Sequence, residues 1–372
     1  MAGGGTGGHL YPGLSVARAI LARAPDACVT FAGTRRGLEA RVIPAEGFEL
    51  DVIRSAGLKG KTWRDVMRGL TMLPASGWEA WRVLSNRQPH LVIGLGGYSS
   101  GPVVLAAATR RIPTMVLEQN AFPGLANRLL ARVVQAAALT YPETLPYFRT
   151  VGFVSGNPVR PEFLRPGPSE PRSSATAARV LVFGGSQGAH AINVAFVEAM
   201  RCAGRSMDQI EITHQTGEPD LDFVRSAYRD LGVSARVQPF FHEMGREMSR
   251  ADLVVSRAGA TTLAELAALG RPAVLVPLPS ATNDHQRRNA VTLATAGAAV
   301  VLEQRDLDGP RMWAQLSALC ADRGRLESMS QAMGRFARPD AAVVIADRAL
   351  ALVGGRGPGR HHDAGGPMRG VD

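Results

Sequence analysis

Two glycine loops, one in each half of a 372-residue chain, limit what this sequence can fold into more than any other feature. The first is Gly3-Gly4-Gly5-Thr6-Gly7-Gly8-His9 and the second is Gly184-Gly185-Ser186-Gln187-Gly188-Ala189. Each runs into a stretch of helical character, Pro12 to Ala24 and His190 to Ala203, and the second follows the strand-like run Val180 to Phe183. A strand, a glycine turn and a helix start bring backbone N–H groups and a helix dipole to one point, where a phosphate can sit. Two such units far apart predict two similar α/β halves facing each other across a cleft.

The rest of the chain keeps the same rhythm. Strands are expected near Val29–Gly33, Leu91–Leu95, Thr114–Glu118 and Gln135–Tyr141. In the second half they are expected at Val180–Phe183, Glu211–His214, Val237–Phe240, Leu253–Ser256, Ala273–Pro277 and Ala299–Leu302. Helical segments separate most of them, as in parallel sheets covered on both faces. The segment Leu164–Ala178, rich in Pro, Ser and Ala, has no periodicity and reads as a linker. The stretch after Gly354 reads as a disordered tail, with His361 and His362 solvated in it. A glycine loop of the first kind should follow a strand, yet only Met1 and Ala2 precede it. The expectation is a first strand missing from the N-terminal sheet, through truncation or a start placed too late.

Composition removes several classes. No run of about 18 apolar residues is present, so no transmembrane helix is expected, and no secretory signal precedes the first loop. Cys28, Cys202 and Cys320 are scattered and form no metal or redox pair, as for buried thiols in a reducing cytoplasm. The formal charge is +10, but only Lys59 and Lys61 are lysines, so the balance reflects arginine usage and does not signal nucleic acid. Its distribution says more. Between Arg54 and Arg87, seven basic residues stand against Asp65 and Glu79, a net +5. Trp63, Trp78 and Trp81 lie in the same stretch. The mixture fits a peripheral contact with an anionic membrane, and equally two amphipathic helices packed on a sheet with their arginines in water.

The residues able to carry chemistry cluster at strand ends. Gly3-x-Gly5-x-x-Gly8 matches a dinucleotide fingerprint, but Asp26 precedes the second strand, and Thr34, Arg35 and Arg36 stand where its ribose contact belongs. An NADP-type reading stays open there; His9 argues against it. A histidine at the end of the loop is placed to take a proton near neutral pH, or to serve as a hydrogen-bonded structural residue. Gly94 to Pro102 makes another small-residue turn, and Glu118-Gln119-Asn120 ends the next strand. Ligands of parallel sheets bind at the carboxyl ends of strands, so these groups should converge on the crevice beside His9. In the second half, Ser256 to Glu265 reads as strand end, glycine turn and helix. Glu265 is suited to two ribose hydroxyls or is an ordinary surface carboxylate. Asn283 to Ala290 offers amides for sugar hydroxyls. No Asp-x-Asp metal element stands out, so helix dipoles and N–H groups would carry the charge of a leaving phosphate.

The set Gly-Gly-Thr-Gly-Gly-His, Gly-Gly-Tyr-x-Ser-Gly-Pro, Glu-Gln-Asn, Gly-Asn-Pro-Val-Arg, Gly-Gly-Ser-Gln-Gly-Ala and Arg-x-Gly-Ala-x-Thr-x-x-Glu, in this order, resembles the MurG family of N-acetylglucosaminyltransferases. The resemblance spans residues 2 to about 350. It implies an α/β GT-B fold with two Rossmann-like domains: 1–163 for acceptor and membrane, and 179–338 for the donor, joined by a linker at 164–178. A last helix, 339–353, returns to the first domain, and 354–372 is the tail. It implies transfer of GlcNAc from UDP-N-acetylglucosamine (UDP-GlcNAc) to the C4 hydroxyl of MurNAc in undecaprenyl-pyrophosphoryl-MurNAc-pentapeptide (lipid I). The reaction inverts the anomeric carbon without a metal or cofactor, at the cytoplasmic face of the cell membrane, alongside protein partners of cell-wall synthesis and cell division. By position, Thr6, Gly7, Gly8, Asn120, Arg160, Ser186, Phe241, Ala260, Thr261, Thr262, Leu263, Ala264, Glu265 and Gln286 fall on the donor places. Glu265 holds the ribose, Gln286 the GlcNAc hydroxyls, and Phe241 flanks the uracil. His9 falls on the base, with Glu118 the next candidate, and Tyr98 lines the acceptor side. Rival readings are a UDP-GlcNAc 2-epimerase or other GT-B transferase, an NADP oxidoreductase, and a non-catalytic scaffold.

Overall fold

Short apolar runs between helices pair only with one another, because each is bounded by turns and too short to fold back on itself. In a computed structural model of the chain they build two all-parallel sheets. The structure describes residues 1–35, 37–54, 63–97, 99–164, 177–204, 210–281 and 284–354, with 63–74 as backbone alone. The first sheet holds β1 (Ala2–Gly3), β2 (Thr30–Gly33), β3 (Glu49–Val52), β4 (Val92–Gly96), β5 (Thr114–Glu118), β6 (Ala136–Leu139) and β7 (Gly152–Val154), in the order β3-β2-β1-β4-β5-β6-β7. The second holds β8 (Ala178–Phe183), β9 (Ile210–Gln215), β10 (Ala235–Gln238), β11 (Leu253–Ser256), β12 (Ala273–Leu275) and β13 (Ala299–Val301), in the order β10-β9-β8-β11-β12-β13. Both are doubly wound Rossmann sheets of one topology. The strand order reverses beside β1 in one and beside β8 in the other, so each glycine loop leaves its sheet at a switch point.

The helices of the first half are α1 (Gly7–Arg23), α2 (Glu39–Ala45), α3 (Trp63–Arg87), α4 (Ser100–Thr109), α5 (Leu125–Leu130), α6 (Leu145–Phe148) and α7 (Pro161–Leu164). Those of the second are α8 (His190–Ala203), α9 (Leu221–Asp230), α10 (Met244–Arg250), α11 (Ala260–Leu269), α12 (His285–Thr295), α13 (Gly309–Ala321), α14 (Arg323–Gly334) and α15 (Ala341–Gly354). Each sheet buries both faces. Val92, Val104 and Val116 lie in one cluster of the first domain and Leu10, Ile93 and Leu117 in the other. Leu181 and Val254 point to one side of the second sheet, Val180 and Val255 to the other. The chain crosses between domains twice. Val159 and Phe163 already belong to the second domain's core, and α15 comes back to lay Ile345, Ala346 and Ala349 against the first-domain residues Leu10, Leu14 and Ala17. Arg23 of α1 pairs with Asp347. At the crossings Gly156, at φ +80, leaves no room for a side chain: a Cβ there would lie 2.4 Å from the Cβ of Arg338.

The first strand, expected to be missing, is represented by two residues. Ala2 and Gly3 form β1 at the centre of the sheet, with Ala2 in register with Ala32 on one side and Gly94 on the other. The Ala32 N–H donates to the Met1 carbonyl at 2.8 Å. The edge strands β3 and β7 were not expected; they are short, and their partly exposed residues lack an apolar run. The cysteines also differ from expectation. Cys28, in the loop before β2, and Cys202, in the last turn of α8, are exposed, and only Cys320 is partly covered. Burial pushes the Cys320 thiol up to about 12. The linker at 165–176 and the tail at 355–372 lie outside the described residues. Among the described residues, no helix is long and apolar enough to cross a membrane.

Candidate active site

The first glycine loop is shaped by a carboxylate from outside it. Gly3, Gly4 and Gly5 all have positive φ. Their turn wraps Glu39, the first residue of α2, whose side chain is almost fully buried. One carboxylate oxygen accepts the Gly5 N–H at 2.7 Å; the other accepts the Thr34 N–H at 2.9 Å and the Thr34 hydroxyl at 2.7 Å. Burial works to raise this carboxyl, but those hydrogen bonds prevail and hold it below the usual carboxylate range. A carboxylate therefore already holds the Gly5 N–H, one of the loop donors a dinucleotide's pyrophosphate would use, which weighs against the NADP reading. Glu39 escaped notice in the sequence because it lies 34 residues from the N–H it caps. Its one local trace is Thr34, five residues earlier at the exit of β2.

The loop delivers His9 into the first turn of α1. The Thr6 carbonyl accepts the N–H of His9 and of Leu10, each at 3.2 Å. The imidazole is half-buried, its Nδ1 3.0 Å from the Gln119 Oε1, while the Gln119 Nε2 donates to the Leu95 carbonyl at 3.0 Å. The turn after β4 presses on the same edge of the ring. Gly96 has φ +100, and a Cβ on it would meet Nδ1 at 2.7 Å.

Glu118, at the end of β5, is buried and fully engaged. One oxygen accepts the N–H and the side-chain amide of Asn120, at 3.1 and 3.2 Å. The other accepts the Gly124 N–H at 3.0 Å and the Asn127 amide at 2.9 Å. It thus organises the loop that carries Gln119 and Asn120. Tyr98 lies outside the described residues.

The second domain meets this apparatus at three points. The Thr261 hydroxyl, in the first turn of α11, donates to the Gly8 carbonyl at 3.2 Å. Asn289, wholly buried on α12, accepts the Ala121 N–H at 2.8 Å and donates to the Asn120 side-chain oxygen at 3.3 Å. Arg160 reaches Glu265 with Nε at 3.1 Å and Nη2 at 2.9 Å, both on Oε1. Its guanidinium lies over the rings of Tyr11 and Phe163, at 4.9 and 4.7 Å, and its Nη1 pairs with Glu162 at 3.0 Å. Burial pushes Glu265 up to about 7, with Arg160 pulling the other way.

The second glycine loop is held by packing of backbone on backbone. Gly188 has φ +76, and a Cβ on it would lie 2.0 Å from the Thr216 carbonyl oxygen. Gln215, buried at the end of β9, donates to the Gly185 carbonyl at 3.1 Å and accepts the Phe241 N–H at 2.8 Å. Ser186 is exposed at the loop tip, ahead of α8. The Phe241 ring is buried in the second core beneath Arg236, 4.6 Å away, and its N–H is already bonded, so only its carbonyl remains for a ligand. Gln286 on α12 accepts the Leu278 N–H at 3.0 Å, which leaves its NH2 end to donate. Arg257 fixes the exit of β12 through the Val276 and Pro277 carbonyls, each at 3.2 Å. Gly8, Asn120 and Arg160 of the first half are thus brought to Thr261, Asn289 and Glu265 of the second; Leu263 instead lies in the second core, Gln286 bonds within its own domain, Ser186 stands at the second loop, and Phe241 offers backbone alone. Gln215 and Asn289 join the set as supports; each stands beside other polar residues, His214 and Thr216 or Arg288, and so does not stand out in the sequence.

Among the described residues no group of three or more His, Cys, Asp or Glu side chains could hold a metal ion. Residues 1–139 match the glycosyltransferase family 28 N-terminal domain and 179–345 the family's C-terminal domain. The chain is 46% identical over 355 residues to the UDP-N-acetylglucosamine–N-acetylmuramyl-(pentapeptide) pyrophosphoryl-undecaprenol N-acetylglucosamine transferase of Anaeromyxobacter dehalogenans, spanning 95% of this chain and 92% of that one. A protein of the same name from another Anaeromyxobacter strain is 44% identical over all of this chain and 98% of its own. The crystal structure of Acinetobacter baumannii MurG superposes with a TM-score of 0.76 at 29% identity, covering 94% of this chain and 97% of that one.

Proposed function

The chain belongs to glycosyltransferase family 28, and we infer that it is an N-acetylglucosamine transferase of the lipid I to lipid II step of peptidoglycan synthesis. Its donor is UDP-GlcNAc, and its acceptor the undecaprenyl-pyrophosphoryl-MurNAc-pentapeptide. The observation that carries the assignment of roles is the contact between Gly8 and Thr261. It sets His9 of the first domain one residue from the first turn of α11, where the donor-binding residues begin.

In this reading His9 takes the proton of the C4 hydroxyl as its oxygen attacks the anomeric carbon from the face opposite the diphosphate, which inverts that centre. UDP leaves toward the second glycine loop, where Ser186 and the first turn of α8 meet the growing negative charge with N–H groups and a helix dipole. Glu265 holds the ribose through Oε2, since Arg160 occupies Oε1 and clamps the carboxylate in place. Gln286 and the first turn of α11 orient the sugar, and the Phe241 carbonyl reads the base edge. Glu118 acts on the acceptor side by positioning Asn120 and Gln119, and no metal is required.

The same reading places the protein on the cytoplasmic face of the membrane as a peripheral enzyme. Supporting this, Trp78 and Trp81 on α3 are 61% and 50% exposed. Arg82 lies 5.9 Å from the ring of Trp78 and Arg110 lies 5.0 Å from that of Trp81. Aromatic rings flanked by guanidinium groups suit an anionic headgroup layer. Residues 55–62 of that segment, with Lys59 and Lys61, lie outside the described residues.

UDP release from UDP-GlcNAc with and without a lipid I analogue tests the function. Release should require the acceptor, and His9→Ala should lower kcat by about 10²–10⁴-fold with UDP binding little changed. Acceptor-independent turnover to a 2-epimer would overturn the transferase reading; a fully active variant would remove His9 from the base role.

A further inference from the structure

We propose that Gln119 is a positioning residue for the transfer: it holds His9 as the Nδ1–H tautomer and so keeps Nε2 as the unprotonated nitrogen that receives the acceptor's proton. The inference rests on the reading of His9 as the base, and extends it to which nitrogen acts and what decides this.

The argument runs outward from a backbone atom. The Leu95 carbonyl can only accept a hydrogen bond. The Gln119 side chain reaches it at 3.0 Å, so the group facing it must be the NH2 end of the amide. Turning the amide over would set two oxygens against each other in a site where Gln119 is 2% exposed. With the NH2 end anchored, the Oε1 end faces the Nδ1 of His9 at 3.0 Å. An oxygen can only accept, so Nδ1 must carry the proton, and a neutral imidazole with a proton on Nδ1 has its lone pair on Nε2. The Gly96 backbone lies along the Nδ1 edge of the ring, where a Cβ would meet Nδ1 at 2.7 Å.

The proton balance is consistent with this. Nε2 takes the proton from the hydroxyl. The oxygen's electron pair forms the new glycosidic bond as the bond from the anomeric carbon to the diphosphate breaks, and UDP leaves with the pair of the broken bond. The imidazolium then bears N–H at both nitrogens, so the bond to Gln119 is kept throughout and no side chain has to move. A neutral amide orients the ring without adding a charge to it, unlike the carboxylate partner found in many catalytic histidine pairs.

The experiment is nitrogen NMR of the full chain labelled with 15N-histidine, with the His9 signals assigned by their absence in His9→Ala. The unprotonated resonance should belong to Nε2 and the protonated one to Nδ1. In Gln119→Met the two tautomers should mix, and kcat on a lipid I analogue should fall about tenfold with the KM for UDP-GlcNAc within twofold. A wild-type Nε2–H tautomer would overturn the proposal, as would a Gln119→Met protein in which the tautomer and kcat are unchanged. The wild-type spectrum decides even if that variant folds poorly. If His9→Ala keeps its turnover while the spectrum shows Nδ1–H, the base reading fails and the tautomer assignment stands.

Discussion

Replacing Glu39 by glutamine keeps the shape of the side chain and exchanges one acceptor oxygen for an NH2 group. In the native protein its two oxygens together accept three hydrogen bonds, from the Gly5 N–H, the Thr34 N–H and the Thr34 hydroxyl. Whichever way the glutamine amide is turned, at least one buried N–H then faces another N–H. The loss is one hydrogen bond to a charged group, about 1.5–3 kcal/mol, and part of the cost of an unpaired buried donor, about 1–3 kcal/mol. A total near 3 kcal/mol follows. In a domain of roughly 150 residues each kcal/mol shifts the melting temperature by about 2–4 °C, so the first domain should melt about 6–12 °C lower. Trp63, Trp78 and Trp81 report on that domain and Trp313 on the other. Fluorescence and calorimetry together can therefore separate the two transitions, which a two-domain chain requires. The pH dependence gives a second check with a definite sign. The carboxyl is held below its ordinary value of 4.5, so its stabilisation is full above that pH and is lost as the pH falls through the lowered value. The gap between wild type and Glu39→Gln should therefore close in acid. If the variant melts within a degree of wild type at pH 7, the glycine loop does not depend on Glu39, and the argument that the Gly5 N–H is already committed loses its weight.

Glu265→Gln should weaken UDP binding on the order of tenfold by calorimetry, since charge-assisted bonds to ribose hydroxyls become neutral ones; equal affinity would exclude the assigned role. Burial holds His214 near pKa 3 instead of 6.5, so stability should fall as the pH drops from about 6.5 toward 3, by up to about 1.4 kcal/mol per pH unit from this group. Urea unfolding of His214→Gln should lack that part of the slope, and an unchanged slope would assign it elsewhere. Trp78→Ser and Trp81→Ser combined with Arg82→Glu should reduce sedimentation with anionic vesicles while activity on a water-soluble acceptor is kept. Undiminished sedimentation would return α3 to the role of a packed amphipathic helix.

The two sheets were legible because their strands are buried on both faces and so appear as unbroken apolar runs; Leu253–Ser256 and Thr114–Glu118 were read to the residue. The edge strands β3 and β7 were not, since an edge is half solvated and Glu49-Leu50-Asp51-Val52 carries no such run. β1 is only two residues long and displays no pattern of its own; its place is fixed by neighbours on both sides. In the site, glycines and His9 stood out because their spacing is local. The supports did not. Glu39, Gln215 and Asn289 act on groups 34, 26 and 168 residues away, and nothing in a one-dimensional text ties such pairs together.

The return of α15 to α1 has a consequence for the order in which the chain can be made. The first domain's own strands have all been synthesised by Val154, but the stripe of Leu10, Leu14 and Ala17 gets its cover only when Ile345, Ala346 and Ala349 emerge. At about 5–20 residues per second, the intervening stretch takes on the order of 10–40 s to translate. During that interval the second domain can fold to completion while the first waits with an apolar groove open. The domain begun first is therefore the one finished last, and it is also the one bearing the exposed tryptophans.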